Sequence, residues 1–130
     1  MGLVIAFAII AALIAADIDA NKIDIGVEID HRQGWIIRAI AVTLFGLAWA
    51  FVWHRWGRLP LTLLACACLF SLVFRLRLNE MRKLDWDYVN GTNYYDAFWI
   101  MTFGANAGIA ASITEFMVAG AAVIINITAL

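Results

Sequence analysis

Proline occurs once in 130 residues, cysteine and serine twice each, and Lys and Arg together number 9 against 10 Asp and Glu. So little proline and serine, with no low-complexity tract, excludes a disordered chain. The near balance of charge excludes a basic nucleic-acid binder. Charged residues make up 15% of the chain where a soluble domain carries about 25%, and apolar residues 65% where about 45–50% is usual, which excludes a soluble globular domain as the default.

Further absences narrow the chemistry. His31 and His54 have no second His or Cys at ligand spacing, so zinc is unsupported. The two serines, Ser71 and Ser112, both lie inside apolar runs, and the chain has no Ser-His-Asp order, nucleophile elbow, phosphate-cradling glycine loop or HExxH. No catalytic residue is nominated, and the expectation is that the protein is not an enzyme. Cys66 and Cys68 stand two apart in an apolar run, where a disulfide is hard to close, and read as small fillers.

What is present is long hydrophobic runs, which make this an all-α integral membrane protein with about four transmembrane helices in one membrane domain over 1–130. The first span, 2–20, lacks the positive n-region of a signal peptide, and Ala6 stands where the myristoylation motif wants Ser or Thr. Spans 34–53 and 59–78 form a helical hairpin, broken at His54-Arg55-Trp56-Gly57-Arg58-Leu59-Pro60, where Gly57 and Pro60 supply the turn. The stretch 97–130 is long for one helix and short for two; an interfacial aromatic segment ending near Gly104, then a span over 105–130, is the better partition. Lys22, Arg32, Arg75, Arg77, Arg82 and Lys83 flank the two longer loops, against Arg55 and Arg58 in the hairpin turn. The positive-inside rule then puts both longer loops in the cytoplasm or its lumenal equivalent and both termini outside.

Polar loops cover 17–33 and 79–96. Between Ile23 and Asp30 apolar and polar residues alternate strictly, which predicts a short extended or β segment near 23–30, able to pair with a neighbouring subunit. Asp17, Asp19, Asn21 and Glu28 half-match the ligand positions of a calcium loop, but Lys22 stands where the sharp turn requires glycine, so a solvated acidic hairpin is preferred to a calcium site. Asn90-Gly91 signals a turn. Trp35, Trp53, Trp56, Trp86, Tyr88 and Trp99 read as interfacial anchors, and Arg75 and Arg77 as anchors that snorkel to the headgroups.

Two formal charges fall well inside spans. Arg38, one turn from Gly34, is expected to snorkel; Glu115, nearer mid-span, must pair, protonate or meet water. Around it Gly104, Gly108, Ser112, Glu115, Ala119, Ala122 and Asn126 recur at steps of three and four as a small-and-polar stripe, with Gly104-x-x-x-Gly108 as its tightest point. Such a stripe is a helix-packing or oligomer face, or the partner of Ala8, Ala12 and Ala16 in the first span.

Ile23-x-x-Gly26-x-x-Ile29-x-His31, running through Trp35 to Arg38-Ala39, and Asn79-x-x-Arg82-x-Leu84-x-Trp86-x-Tyr88 with Gly91-Thr92-Asn93 and Asp96, resemble small uncharacterised integral membrane proteins of bacterial genomes and their phages. The resemblance implies a bacterial inner membrane or a virion internal membrane, and no activity. Two functions stand. The first is a non-enzymatic oligomeric structural or scaffolding protein that works with the lipid bilayer as a homo-oligomer or in an assembly with other proteins, without nucleic acid. The second is an oligomeric channel, holin-like pore or small transporter with Glu115 in the pathway.

Overall fold

A computed structural model describes residues 2–27, 31–89 and 94–128, and the side chains of all of these except 31–33 and 35. The described residues form five α-helices: α1 (Gly2–Asp24), α2 (His31–Trp53), α3 (Leu59–Met81), α4 (Tyr94–Phe103) and α5 (Ala107–Thr128). Among the described residues four segments are long and apolar enough to cross a membrane: Gly2–Asp24, Ile36–Trp53, Trp56–Met81 and Tyr94–Thr128. At 23 residues, α1 and α3 each rise about 34 Å, enough for a hydrocarbon core of about 30 Å.

Helix α3 is central. α1 packs along one side of it and α5 along another, while α2 leans on both α1 and α3 and α4 rests on α5. Asp17 late in α1 meets Arg77 late in α3, so these two run parallel, and Asn126 at the end of α5 meets Thr62 at the start of α3, so these two are antiparallel. Among the described residues every Asp and Glu lies toward the end where α1 and α3 finish. The opposite end carries the α2–α3 turn.

Small residues set the approach distances. On α1, Val4, Ala8, Ala12, Ala16 and Ala20 recur every four residues, and each is 0% or 1% exposed. Every fourth residue stays on one helix face, so this face meets the buried Cys66 and Phe70 of α3 and Val42 of α2. Leu3, Ile10, Ile14 and Ile18 of α1 point outward. Lipid tails are as apolar as leucine, so helices gain by close contact between small faces and not by hiding large side chains. On α2, a Cβ at Gly46 would stand 2.8 Å from Leu63 Cδ2, and Phe7 of α1 stacks on Phe45 at 4.3 Å. The small faces of α1 and α5 turn toward α3 and not toward each other, which removes their direct pairing as an arrangement.

Helices α1, α2 and α3 finish in one way. In α1 the Val27 amide donates to Lys22 O and the Gly26 amide to Ile23 O, with Gly26 left-handed at φ +74°. This paired capture of the last carbonyls is the Schellman pattern. It corrects the extended segment expected from Ile23: Ile23 and Asp24 complete α1 and residues 25–26 turn, while 28–30 lie outside the described residues. No strand occurs among the described residues. Alternation over so few positions loses to a helix already propagating through twenty residues before it. The same pattern ends α2 at His54 (φ +50°) and α3 at Lys83 (φ +56°), neither of them glycine.

The last apolar stretch is broken at Gly104–Asn106, where Gly104 is left-handed at φ +55°. α4 folds back along the first half of α5: Trp99 packs on Ala107 and Ala111, and Tyr95 reaches Glu115.

Lys83→Gly removes a side chain from a left-handed position that an L residue occupies at a cost, and is expected to stabilise the fold by about 0.5–1 kcal/mol. Gly26→Ala should do the reverse, by about 1 kcal/mol. Equilibrium unfolding in detergent micelles measures both, and a destabilised Lys83→Gly variant would contradict the capping role.

Candidate functional site: a layer of ion pairs inside the bundle

Two residues along a helix are about 200° apart, so side chains at i and i+2 face nearly opposite ways. Arg75 and Arg77 are such a pair on α3, and Asp17 and Asp19 are such a pair on α1. Arg77 turns to α1, its Nε donating to Asp17 Oδ1 at 2.8 Å and its Nη1 to Glu80 Oε2 at 2.8 Å. Arg75 turns to α5, its Nη2 donating to Glu115 Oε2 at 2.7 Å and to Ser112 Oγ at 2.9 Å. Asp19 faces α2 and accepts from Arg38 Nη2 at 2.5 Å, while the Arg38 guanidinium lies 4.5 Å over the Phe74 ring of α3. Three pairs at one level therefore tie α1, α2, α3 and α5 together.

The Glu115 centre is the most enclosed. Its carboxylate is 4% exposed, and its second oxygen accepts from Tyr95 Oη of α4 at 2.6 Å. A buried carboxylate persists only with a counter-charge and hydrogen bonds, and here Arg75 and Tyr95 supply them. Two donors beside it are unmatched: Arg75 Nε and Trp99 Nε1 are buried with no acceptor among the described residues.

A loop closes over this layer. Asn79 Nδ2 donates to Tyr88 O at 2.9 Å and to Trp86 O at 3.3 Å. A Cβ on Gly108 would lie 1.5 Å from Asp87 O, so only glycine lets this loop cross the first turn of α5. At the other end Asn126 Nδ2 donates to Thr62 Oγ1 at 2.8 Å and to Arg58 O at 3.2 Å.

The stripe of α5 divides on this geometry. Gly108, Ser112, Glu115, Ala119, Ala122 and Asn126 are buried within the single chain, where α3, α4 and the 84–89 loop pack on α5. Gly104 is exposed and ends α4, so the two glycines of Gly104-x-x-x-Gly108 do separate work. With the stripe covered by its own chain, little of its surface is left for a second copy. Arg38, Arg75 and Arg77 do not snorkel: each turns inward to a carboxylate, with side-chain exposures of 17%, 10% and 33%. Trp99, read as an interfacial anchor, is 7% exposed between α4 and α5. Trp53, Trp56, Trp86 and Tyr88 are exposed at the ends of the bundle, and the Trp35 side chain lies outside the described residues.

Three of the four residues of the half-matched calcium loop fall on a helix. Asp17, Asp19 and Asn21 lie on α1, Asp17 and Asp19 are committed to arginines, and Glu28 lies outside the described residues. Among the described residues no three His, Cys, Asp or Glu side chains gather as a metal site. Sequence reasoning missed Tyr95, Asn79 and the inward use of Asp17 and Asp19. The signal was there: acids five and seven residues before the end of α1 and arginines four and six before the end of α3 are level once those helices run parallel. Set against known protein families, curated proteins and solved structures, the chain matches none.

Glu115→Leu strands a buried guanidinium and is expected to cost about 3–5 kcal/mol, whereas adding Arg75→Met should restore most of it. Trp99→Phe deletes an N–H without an acceptor but leaves a void against Ala107 and Ala111, and should cost about 1–2 kcal/mol, less than Glu115→Leu. Unfolding midpoints in micelles test both; an additive double variant would dissolve the pairing.

Proposed function

We propose that this chain is a non-enzymatic structural unit of a membrane, a closed four-span bundle that works in an assembly of its own copies or with other proteins. The observation that supports this reading is that Arg75, the one buried arginine among the described residues, and half-buried Arg38 are each neutralised by a carboxylate of the same chain at 2.5–2.7 Å. A conduction path keeps ionisable groups hydrated and exchangeable, while these are locked in fixed pairs between helices. The face that remains for partners is the outer one. α2 is the least enclosed span, with 11% of its apolar window buried, and it shows Ile36, Ile40, Leu44 and Phe51 to the surroundings. A bacterial inner membrane or the internal membrane of a virion is the setting proposed.

One observation favours a second reading, a proton or ion path through Glu115. The unmatched Arg75 Nε and Trp99 Nε1 beside it are donors that internal water would satisfy.

Reconstitution into liposomes separates the two. The structural reading expects proton and ion flux at the level of empty liposomes for the parent protein and for Glu115→Gln alike. Flux in the parent that Glu115→Gln abolishes, with the bundle intact by circular dichroism, would replace it with the path.

A further inference from the structure

The two ends of the bundle differ in charge in a way the structural role does not use. From His31 to Asn79 the sequence has no Asp or Glu, α1 has none before Asp17, and α5 has none after Glu115. The end carrying the α2–α3 turn is therefore free of acidic side chains, yet holds Arg55 and Arg58. At the opposite end Lys22, Arg82 and Lys83 are interleaved with Asp24, Glu80, Asp85 and Asp87, which repel an anion.

The turn presents its cation openly. The Arg55 amide is spent on Ala50 O at 3.0 Å, with left-handed His54 before it. Arg55 is exposed, and its guanidinium has no ion pair or hydrogen bond among the described residues. Around it stand Val52 at 66%, Trp53 at 61% and Trp56 at 50% exposure, with Trp56 set edge-on to Phe51. Exposed tryptophans at a span's end seat at headgroup level, and a guanidinium there offers a fork of donors to phosphate oxygens. Acyl chains are the natural cover of Phe51 and Val52 just below.

We propose that the Arg55 turn is a binding site for an anionic phospholipid, the phosphate on Arg55 and the chains along the Phe51–Trp53 surface of α2. Each basic residue near an anionic membrane surface gains about fivefold in association, ~1 kcal/mol. A neutral lipid has no net charge to contribute this, and inorganic phosphate has no chains to cover α2.

Native mass spectrometry of the intact protein, released from micelles holding equal phosphatidylglycerol and phosphatidylcholine, tests it. Phosphatidylglycerol should be retained about fivefold over phosphatidylcholine by the parent, and Arg55→Gln should bring the ratio near one. The Arg55 side chain has no partner among the described residues, so Arg55→Gln is expected to keep the parent's circular dichroism and melting temperature. The double variant Arg82→Gln, Lys83→Gln, at the other end, should keep the preference. Equal retention of both lipids by the parent overturns the site, as does a preference lost in the double variant and kept in Arg55→Gln. A rise in melting temperature with inorganic phosphate in phosphatidylcholine micelles as large as that with phosphatidylglycerol overturns the lipid as occupant.

Discussion

The two arginines of α3 that point opposite ways carry the architecture. In water a bundle of apolar helices is driven together by the hydrophobic effect; in a bilayer that force between helices is gone, and packing contacts and polar pairs remain. Arg77 binds α1 and Arg75 binds α5, so one helix joins neighbours that scarcely meet each other. Without this central tie α1 would be held to α3 by small-residue contact alone, and α5 by such contact and the Asn126 hydrogen bonds at the far end.

The small faces and the ion pairs are complementary devices. Ala8, Ala12 and Ala16 let α1 approach α3 closely but slide readily, since one alanine step resembles the next. The ion pairs fix the register: Asp17 meets Arg77 at one axial offset only, and Asn126 meets Thr62 and Arg58 O at the far end of the same central helix. A buried pair is a poor source of net stability, because desolvation offsets most of its attraction. Its value here lies in excluding other registers, a role polar groups also hold in coiled coils.

The spans are legible in the sequence because length and apolarity are properties of one segment at a time. The α2–α3 turn is legible for the same reason, through Gly57 and Pro60, and so is the break at Gly104. The candidate site is not, because it is a property of pairs. Arg38, Arg75 and Arg77 each sit within reach of a helix end, and a reading of single helices sends them to the headgroups. Only the parallel placement of α1 and α3 brings Asp17 level with Arg77, and nothing local encodes that placement. Gly108 shows the same limit. Its spacing from Gly104 suggests helix contact, whereas the close neighbour is the Asp87 carbonyl of a loop with no periodicity to betray where it crosses.

The half-length α4 is the one element the bundle does not need for spanning, and its position explains what it does need. A carboxylate has two oxygens; Arg75 reaches one, and the other would be left in an apolar groove between α3 and α5. Tyr95 covers it, Trp99 packs on Ala107 and Ala111, and the loop held by Asn79 and Gly108 returns the chain inward to start α4 at the depth of Glu115. A chain with four spans could have ended its third loop at the surface. This one spends a helix turned back on α5 to complete the hydrogen bonding of a single buried acid.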